Sequence, residues 1–153
     1  MISKHIQNEL EQAVLCWLAT SSNDGTPNVS PKELFCCLNA TTIVVANIAS
    51  PNTVKNIQVN PKVCLSLVDV FTQRGFQFKG MAKLIRERSK CPDAFLALEA
   101  LAGPRFPIHS LLWIDVKHIK PILAPSYVMY PDTKQEEMVK QAMDRYGVRP
   151  KKH

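Results

Sequence analysis

The sequence predicts an α+β protein: six antiparallel strands curled into a small barrel, with three or four helices hung between and after them. Three observations lead there. Short apolar runs and period-two segments are joined by hairpin-type turns, which is the order of an antiparallel sheet. Between and after them lie stretches opened by Ser-Pro or Cys-Pro and closed by Asn-Pro or Gly, the start and stop signals of helices. The 153 residues, 46% hydrophobic and 21% charged, match one globular domain (residues 1–153), which excludes disorder and coiled-coil architectures. A sheet of this size curls to remove its edges, hence the barrel.

The elements follow in order. Ile2, Ile6, Leu10 and Val14 fall at helical spacing and predict an amphipathic helix over residues 2–13. Val14 to Thr20 reads as a buried strand. Asp24-Gly25 turns it into a second strand from Pro27 to Leu38, and Asn39-Ala40-Thr41 leads to a third, Ile43 to Ile48. Ser50-Pro51 places an N-cap before a proline whose missing N–H costs nothing, and Asn60-Pro61 stops that helix. Val63 to Val70 is the fourth strand. After a Gln73-Arg74-Gly75 turn, Phe76 and Phe78 alternate with polar residues in a fifth, to about Ile85. Cys91-Pro92 opens a helix ended by Gly103. Leu111 to Leu123 contains the sixth strand, and Pro121, Pro125 and Pro131 mark a stiff connection after it. Thr133 and Glu136 form a capping box for a last helix, about 133–146, that ends at Gly147.

Charge and cysteine content narrow the function. The net charge of +6 is concentrated in the tail: Arg145, Arg149, Lys151 and Lys152 lie in the last nine residues, leaving 15 basic against 13 acidic residues elsewhere. A nucleic-acid reader would spread its cations along a face among aromatics, so no nucleic-acid partner is expected and the tail reads as a solvated terminus. No apolar run reaches the roughly 20 residues of a spanning helix, and no basic start precedes an apolar stretch; a cytoplasmic, non-membrane protein is expected. The five cysteines lack C-x-x-C spacing, which supports neither a disulfide framework nor a zinc site. Cys91, at a helix start, is either an incidental thiol or one activated by the helix dipole.

Catalytic signatures of the common hydrolases, metalloproteases and nucleotide-binding loops are missing, so if the chain is an enzyme a cofactor is expected to supply its chemistry. Three polar clusters interrupt the apolar pattern. The first is Asn28-Val29-Ser30-Pro31-Lys32; the second is Asn47 with Ser50, Asn52 and Thr53 at the mouth of a helix; the third is Gln73-Arg74-Gly75. A helix mouth presents unpaired N–H groups and partial positive charge to an anion such as phosphate, and Lys32 would add a full charge if its strand lies beside that mouth. Each also has a plain reading: a capped helix with a solvated lysine, and an ordinary polar turn.

Taken in order, the stretches LATSSNDGTPNVSPKELF, TIVVANIASPNTVKNIQVNPKVCLSLVDV and RGFQFKGMAKL resemble the pyridoxamine 5′-phosphate oxidase-like family of FMN-binding proteins. The junction Ser50, Thr53, Asn56, Asn60 and Pro61 carries much of the likeness. The resemblance implies a six-stranded antiparallel split β-barrel with flanking helices, and a homodimer with FMN at the subunit interface. It implies that Asn28, Val29, Ser30 and Lys32 line the flavin ring and ribityl chain. Asn47, Ser50, Asn52 and Thr53 would hold the ribityl end and phosphate, and Gln73 and Arg74 would come from the partner subunit. The implied activity is that of an oxidoreductase passing electrons between a nicotinamide or other donor and a small acceptor. The alternative is a non-catalytic flavin-binding or stress-related sensor. Two departures argue against vitamin B6 oxidase activity itself: the Arg-rich C-terminal signature is replaced by a helix, and the basic pair at the phosphate junction by Asn52 and Thr53. Trp113, Phe76 and Phe78 are candidates for apolar surface between subunits, with a core role the equal alternative. The last helix, flanked by Tyr127, Tyr130 and Tyr146, would lid the flavin.

Overall fold

A computed structural model describes residues 1–151; Lys152, counted above with the basic tail, lies outside them. Thirteen-residue β7 (Leu111–Leu123) and twelve-residue β6 (Arg74–Ile85) form the spine of one antiparallel sheet. On the β6 side follow β5 (Lys62–Asp69), β1 (Cys16–Ser21) and β2 (Pro27–Lys32). On the β7 side follow β4 (Thr42–Ala46) and β3 (Phe35–Asn39). The sheet has seven strands and remains open between β2 and β3, as a split barrel does.

The extra strand corrects the reading of residues 27–38 as one element. The chain breaks at Glu33-Leu34, so β2 pairs with β1 while β3 crosses to the opposite edge and pairs with β4. No Gly or Asn signals this break. Pro121, expected in the connection, lies within β7 opposite Phe76. It is tolerated because β4 covers only Thr42–Ala46 against Leu111–Asp115, so the other flank of β7 at Pro121 needs no ladder donor.

Alternation decides what the curved sheet encloses. Cys16, Leu18, Leu65, Leu67, Phe78, Ile43 and Ile114 point inward and are fully or almost fully buried, joined by Ile57 from α2 (Pro51–Val59) and Leu10 from α1 (Lys4–Gln12). On the outer side of β4, Val44 and Ala46 pack under Phe95 and Leu98 of α3 (Pro92–Ala102), so β4 is buried on both faces. Removing a ring such as that of Phe78 would cost about 3–5 kcal/mol through lost burial and a residual cavity. Val14, placed by helical spacing on the inner face, is instead exposed, because α1 ends and Ala13 is extended.

Two glycines are required by close approach. A Cβ on Gly75 would sit 2.0 Å from the Leu67 carbonyl oxygen, and one on Gly80 would sit 2.3 Å from that of Asp115, at the register shift between β6 and β7. Gly75 therefore serves the sheet. After β7, α4 (Pro125–Met129) and α5 (Gln135–Tyr146) run back along the turn of the β5–β6 hairpin, where Phe71 meets Tyr146 edge to face. The expected capping box is not formed: α5 starts at Gln135 without a side-chain cap, and the Thr133 hydroxyl bonds the Ser126 carbonyl (3.1 Å).

Candidate functional site

Register places the first cluster. Lys32, Ser30 and Asn28 lie opposite Cys16, Leu18 and Thr20, and share their inward face. The period of two sends Val29 outward, opposite Ala19, so its side chain does not join them. The inward face of β2 is thus a polar ladder in an otherwise apolar interior, and α2 lies across it. The Ser30 and Thr53 hydroxyls meet at 3.1 Å. Asn56 donates to the Thr20 hydroxyl (3.0 Å), which also receives the amide of Asn28 (3.4 Å), and Asn60 donates to Ser21 (2.8 Å). Thr53, Asn56 and Asn60 occur at helical spacing and so form one face of α2 and its cap. Asn56 and Asn60 fix that helix on the ladder through Thr20 and Ser21 of β1; the 53-56-60 spacing was the signal for the two asparagines.

Lys32 is the centre of the arrangement. Only 6% of it is exposed, and its ammonium donates to Ser50 Oγ. Burial holds the amine below its ordinary value, with the adjacent Cys16 thiol pulling the other way. Burial likewise pushes Cys16 up to about 12, opposed by Lys32. Among the described residues no carboxylate pairs with Lys32. A buried cation without a counter-charge is costly, and that cost is removed when an anion arrives.

The mouth of α2 adds to this field. Ser50 occupies the N-cap position, but its side chain makes no capping bond because its oxygen faces Lys32. Pro51 has no N–H, and the first backbone bond of the helix is from Val54 to Ser50 (3.1 Å). The N–H groups of Asn52 and Thr53 are therefore free of backbone acceptors among the described residues, at the positive end of the helix dipole. Asn52 is exposed there. Asn47, at the end of β4, donates to Ser110 Oγ (2.9 Å), while its Oδ1 is buried with no partner.

The structure thus brings Ser30, Lys32, Ser50 and Thr53 together, with Asn28 one rung along and Asn47 and Asn52 at the rim. It does not bring in Gln73 and Arg74. The register sets Lys32 opposite Cys16, one residue before the Trp17–Ser66 pair, so Lys32 lies toward the same end of β5 as Arg74 but three strands away in the sheet, with β1 and β5 between β2 and β6. Gln73 has φ of 54°, a left-handed turn conformation, and its carbonyl accepts from Ala124 (3.1 Å). Arg74 stacks over Tyr127 (5.0 Å) and donates to Gln135 (3.2 Å). Cys91 is no activated thiol: burial raises it, against a weaker opposing pull from Lys83. The described residues contain no His, Cys, Asp and Glu cluster suited to a metal ion.

An open antiparallel sheet of this strand order, with a helix mouth on its inner ladder, defines a class of split β-barrels. Comparison with known proteins places the chain within it. The family model for pyridoxamine 5′-phosphate oxidase matches residues 2–122, and the chain belongs to that family. An uncharacterized protein of Methanocaldococcus jannaschii is 33% identical over 86 residues, covering 55% of this chain and 54% of that protein; the chain thus spans about half the length of this curated relative. Among solved structures, HupZ of Group A Streptococcus matches with a TM-score of 0.68 at 24% identity, over 78% of this chain and 92% of that one. An FMN-binding protein of Syntrophomonas wolfei matches with a TM-score of 0.65 at 16% identity, over 80% and 85% respectively. At these identities the likeness is one of fold. No helix is long and apolar enough to cross a membrane among the described residues.

Proposed function

We propose that the chain binds flavin mononucleotide through its phosphate at the Lys32–Ser50 end of α2, and works as an FMN-dependent oxidoreductase. The observation that carries this reading is the buried Lys32 ammonium, which meets only the Ser50 hydroxyl and no counter-charge among the described residues, beside the two helix N–H groups without backbone acceptors. The residues fit the group: a phosphate dianion would satisfy the ammonium, the N–H groups of Asn52 and Thr53, and the Ser50 hydroxyl. Ser30, Thr53 and Asn28 offer hydroxyl and amide partners for a ribityl chain. When bound, FMN supplies electron transfer at its ring; the protein's part is to bind, orient and shield it.

A second copy of the chain would complete the site. Val14, Trp17, Val29, Val68 and Val70 leave an apolar stretch exposed on the outer side of β2, β1 and β5 and their ends, next to a groove of about 460 Å³ lined by Trp17, Val68 and Phe71. This is not the surface expected from Trp113, Phe76 and Phe78: Phe78 is in the core, Phe76 is packed against it, and Trp113 lies half-buried under Lys83 with its N–H on Asp115. Large exposed apolar patches mark interaction sites, and a homodimer is the partner the reading assigns here. Trp17→Glu should then give a monomer in analytical ultracentrifugation; an unchanged dimer would remove this surface from the interface.

The test of flavin binding compares FMN with riboflavin. Lys32→Met should weaken FMN at least tenfold and riboflavin less than twofold, because only FMN carries the phosphate. Equal losses, or no uptake of either flavin by the wild-type protein, would overturn the reading. Bleaching of bound FMN by a reduced nicotinamide under anaerobic conditions separates an oxidoreductase from a non-catalytic flavin carrier of the same fold.

A further inference from the structure

The outer face of the sheet gathers charge that a flavin site leaves unused. Alternation turns Lys79 and Lys83 of β6 outward, because Phe78 and Ala82, one position before each, point into the core. On the same face Lys62 of β5 lies opposite Met81, and Lys120 of β7 lies opposite Gln77. The register shift between β6 and β7 adds to them. His118 faces Lys79 and Val116 faces Gly80, so Lys117 is an extra residue between two inward side chains, Val116 and Ile119. Such a bulge sets Lys117 and His118 together on the outer face. Five lysines and a histidine from three adjacent strands thus share a stripe about 20 Å long and 10 Å wide, at 3.3 Å per residue and 4.8 Å between strands. None of the six is in an ion pair among the described residues. Asp115, the acid of these strands on that face, accepts from the Trp113 N–H (2.9 Å), and Lys83 lies over the Trp113 ring (5.4 Å). Like charges on neighbouring strands repel, and an anionic partner relieves the repulsion.

We infer that this face docks single-stranded nucleic acid through its phosphodiester backbone, without reading sequence. The stripe is elongated, as the site for a polymer of repeating anions must be. Its exposed large apolar residue is Met81 alone, with Gln77 and Ser66 as polar neighbours. A protein partner needs an apolar interface core and a membrane needs apolar anchors, whereas nucleic-acid interfaces are polar and strongly positive. The cations are lysines with no arginine among them, point charges suited to phosphate and poor at bidentate contact with base edges. The outside of a curved sheet is convex, so a straight duplex touches it along a short line while a flexible strand follows it. The expectation of no nucleic-acid partner came from the order of charges along the chain, where these lysines are scattered between positions 62 and 120; register brings them together. The apolar stretch assigned to a second copy lies on β2, β1 and β5, so a dimer formed through it leaves β6 and β7 open. Flavin plays no part in this surface.

The experiment titrates the full-length protein into a labelled oligo-dT of about 20 nucleotides and follows fluorescence anisotropy between about 50 and 200 mM salt. Two variants are compared: K79Q/K117Q/K120Q on the stripe, and K4Q/K134Q/K140Q, which removes the same charge around α1 and α5. All six replaced lysines are exposed, and an unchanged far-ultraviolet circular dichroism spectrum verifies each fold. The wild type should bind, with affinity falling as salt rises by about 0.7 log units per log unit of salt for each neutralised phosphate. The stripe variant should lose tenfold or more in affinity at low salt and about 2 in that slope, and the other variant less than threefold. No binding by the wild type at low salt would overturn the inference. Equal losses in the two variants would do the same, assigning the attraction to net charge. Tighter binding of the matching duplex would remove the single strand as partner, and equal competition by polyglutamate of the same charge would replace nucleic acid with an acidic protein segment.

Discussion

Two cations three strands apart in the sheet, one on β2 and one on β6, show how differently one charge can be used. Lys32 is buried, meets one hydroxyl, and has no carboxylate partner among the described residues. Arg74 is exposed and already engaged by the Tyr127 ring and the Gln135 amide. The first is held at an energetic cost by the packing of β2 against α2, and an incoming anion relieves that cost. The second has its planar donors partly satisfied by the chain's own α4–α5 segment, and gains little from an additional partner. A cation's fitness as an anion anchor thus depends on what its neighbours have left undone.

The sharpest way to break this contrast is to loosen the wall behind Lys32. Asn56 is 7% exposed and holds α2 to Thr20. Asn56→Ala removes a buried hydrogen bond and should cost about 2 kcal/mol of stability. Because α2 carries Ser50 and Thr53, FMN affinity should fall with it. Urea unfolding and an FMN titration on the same samples check both; loss of stability with intact FMN binding would show that α2 does not need Thr20 to hold the site.

Next in size is Ser50→Ala. At an ordinary N-cap the loss comes from the helix, but here the hydroxyl serves Lys32 and not the cap. A buried ammonium left without its acceptor should cost about 1.5 kcal/mol. In a Lys32→Met background the same substitution should cost almost nothing. A double-mutant cycle by denaturant unfolding measures the difference, and additive losses would mean that the two side chains do not interact.

A smaller, graded effect comes with pH. The folded-state value of Lys32 lies below its unfolded value of about 10.5, so as pH rises the folded chain gives up the proton first. Over that window, reaching up to about 10.5, the unfolded chain binds more protons, and the ligand-free protein gains stability from this group as pH rises. FMN binding should move the opposite way, weakening as the ammonium is lost. Lys32→Met should flatten both slopes, measured by unfolding midpoints and FMN titrations across the alkaline range.

How much of this was legible in the residues alone follows from what each signal requires. The pattern PNVSPK puts Asn28, Ser30 and Lys32 on one strand face by alternation, and the same rule sends Val29 to the other. Ser50-Pro51 announced the helix mouth from its own chemistry. What stayed hidden depended on partners distant in sequence. Nothing in Glu33-Leu34 says that the chain changes sheet edges there. Ser50 reads as a cap until Lys32, 18 positions earlier, is seen to take its oxygen. Thr133 and Glu136 match a capping box, yet Thr133 finds a better acceptor in the Ser126 carbonyl.

The smallest expected effect closes the comparison at its other end. Arg74→Ala removes an exposed stacking contact and one exposed hydrogen bond, so stability should fall by less than about 1 kcal/mol. In a monomeric sample FMN affinity should not change, since Arg74 lies three strands from Lys32 in its own chain and is held by Tyr127 and Gln135. If Arg74 instead serves the flavin of a partner subunit, its loss must weaken FMN binding only where dimers form. Repeating the titration above and below the dimer dissociation concentration separates these cases. A concentration-dependent loss would mean that dimerisation frees Arg74 from Tyr127 and Gln135, making its present partners a holding arrangement for a group used across the interface. A loss that is the same at every concentration would place Arg74 on a ligand bound by its own chain, against the geometry.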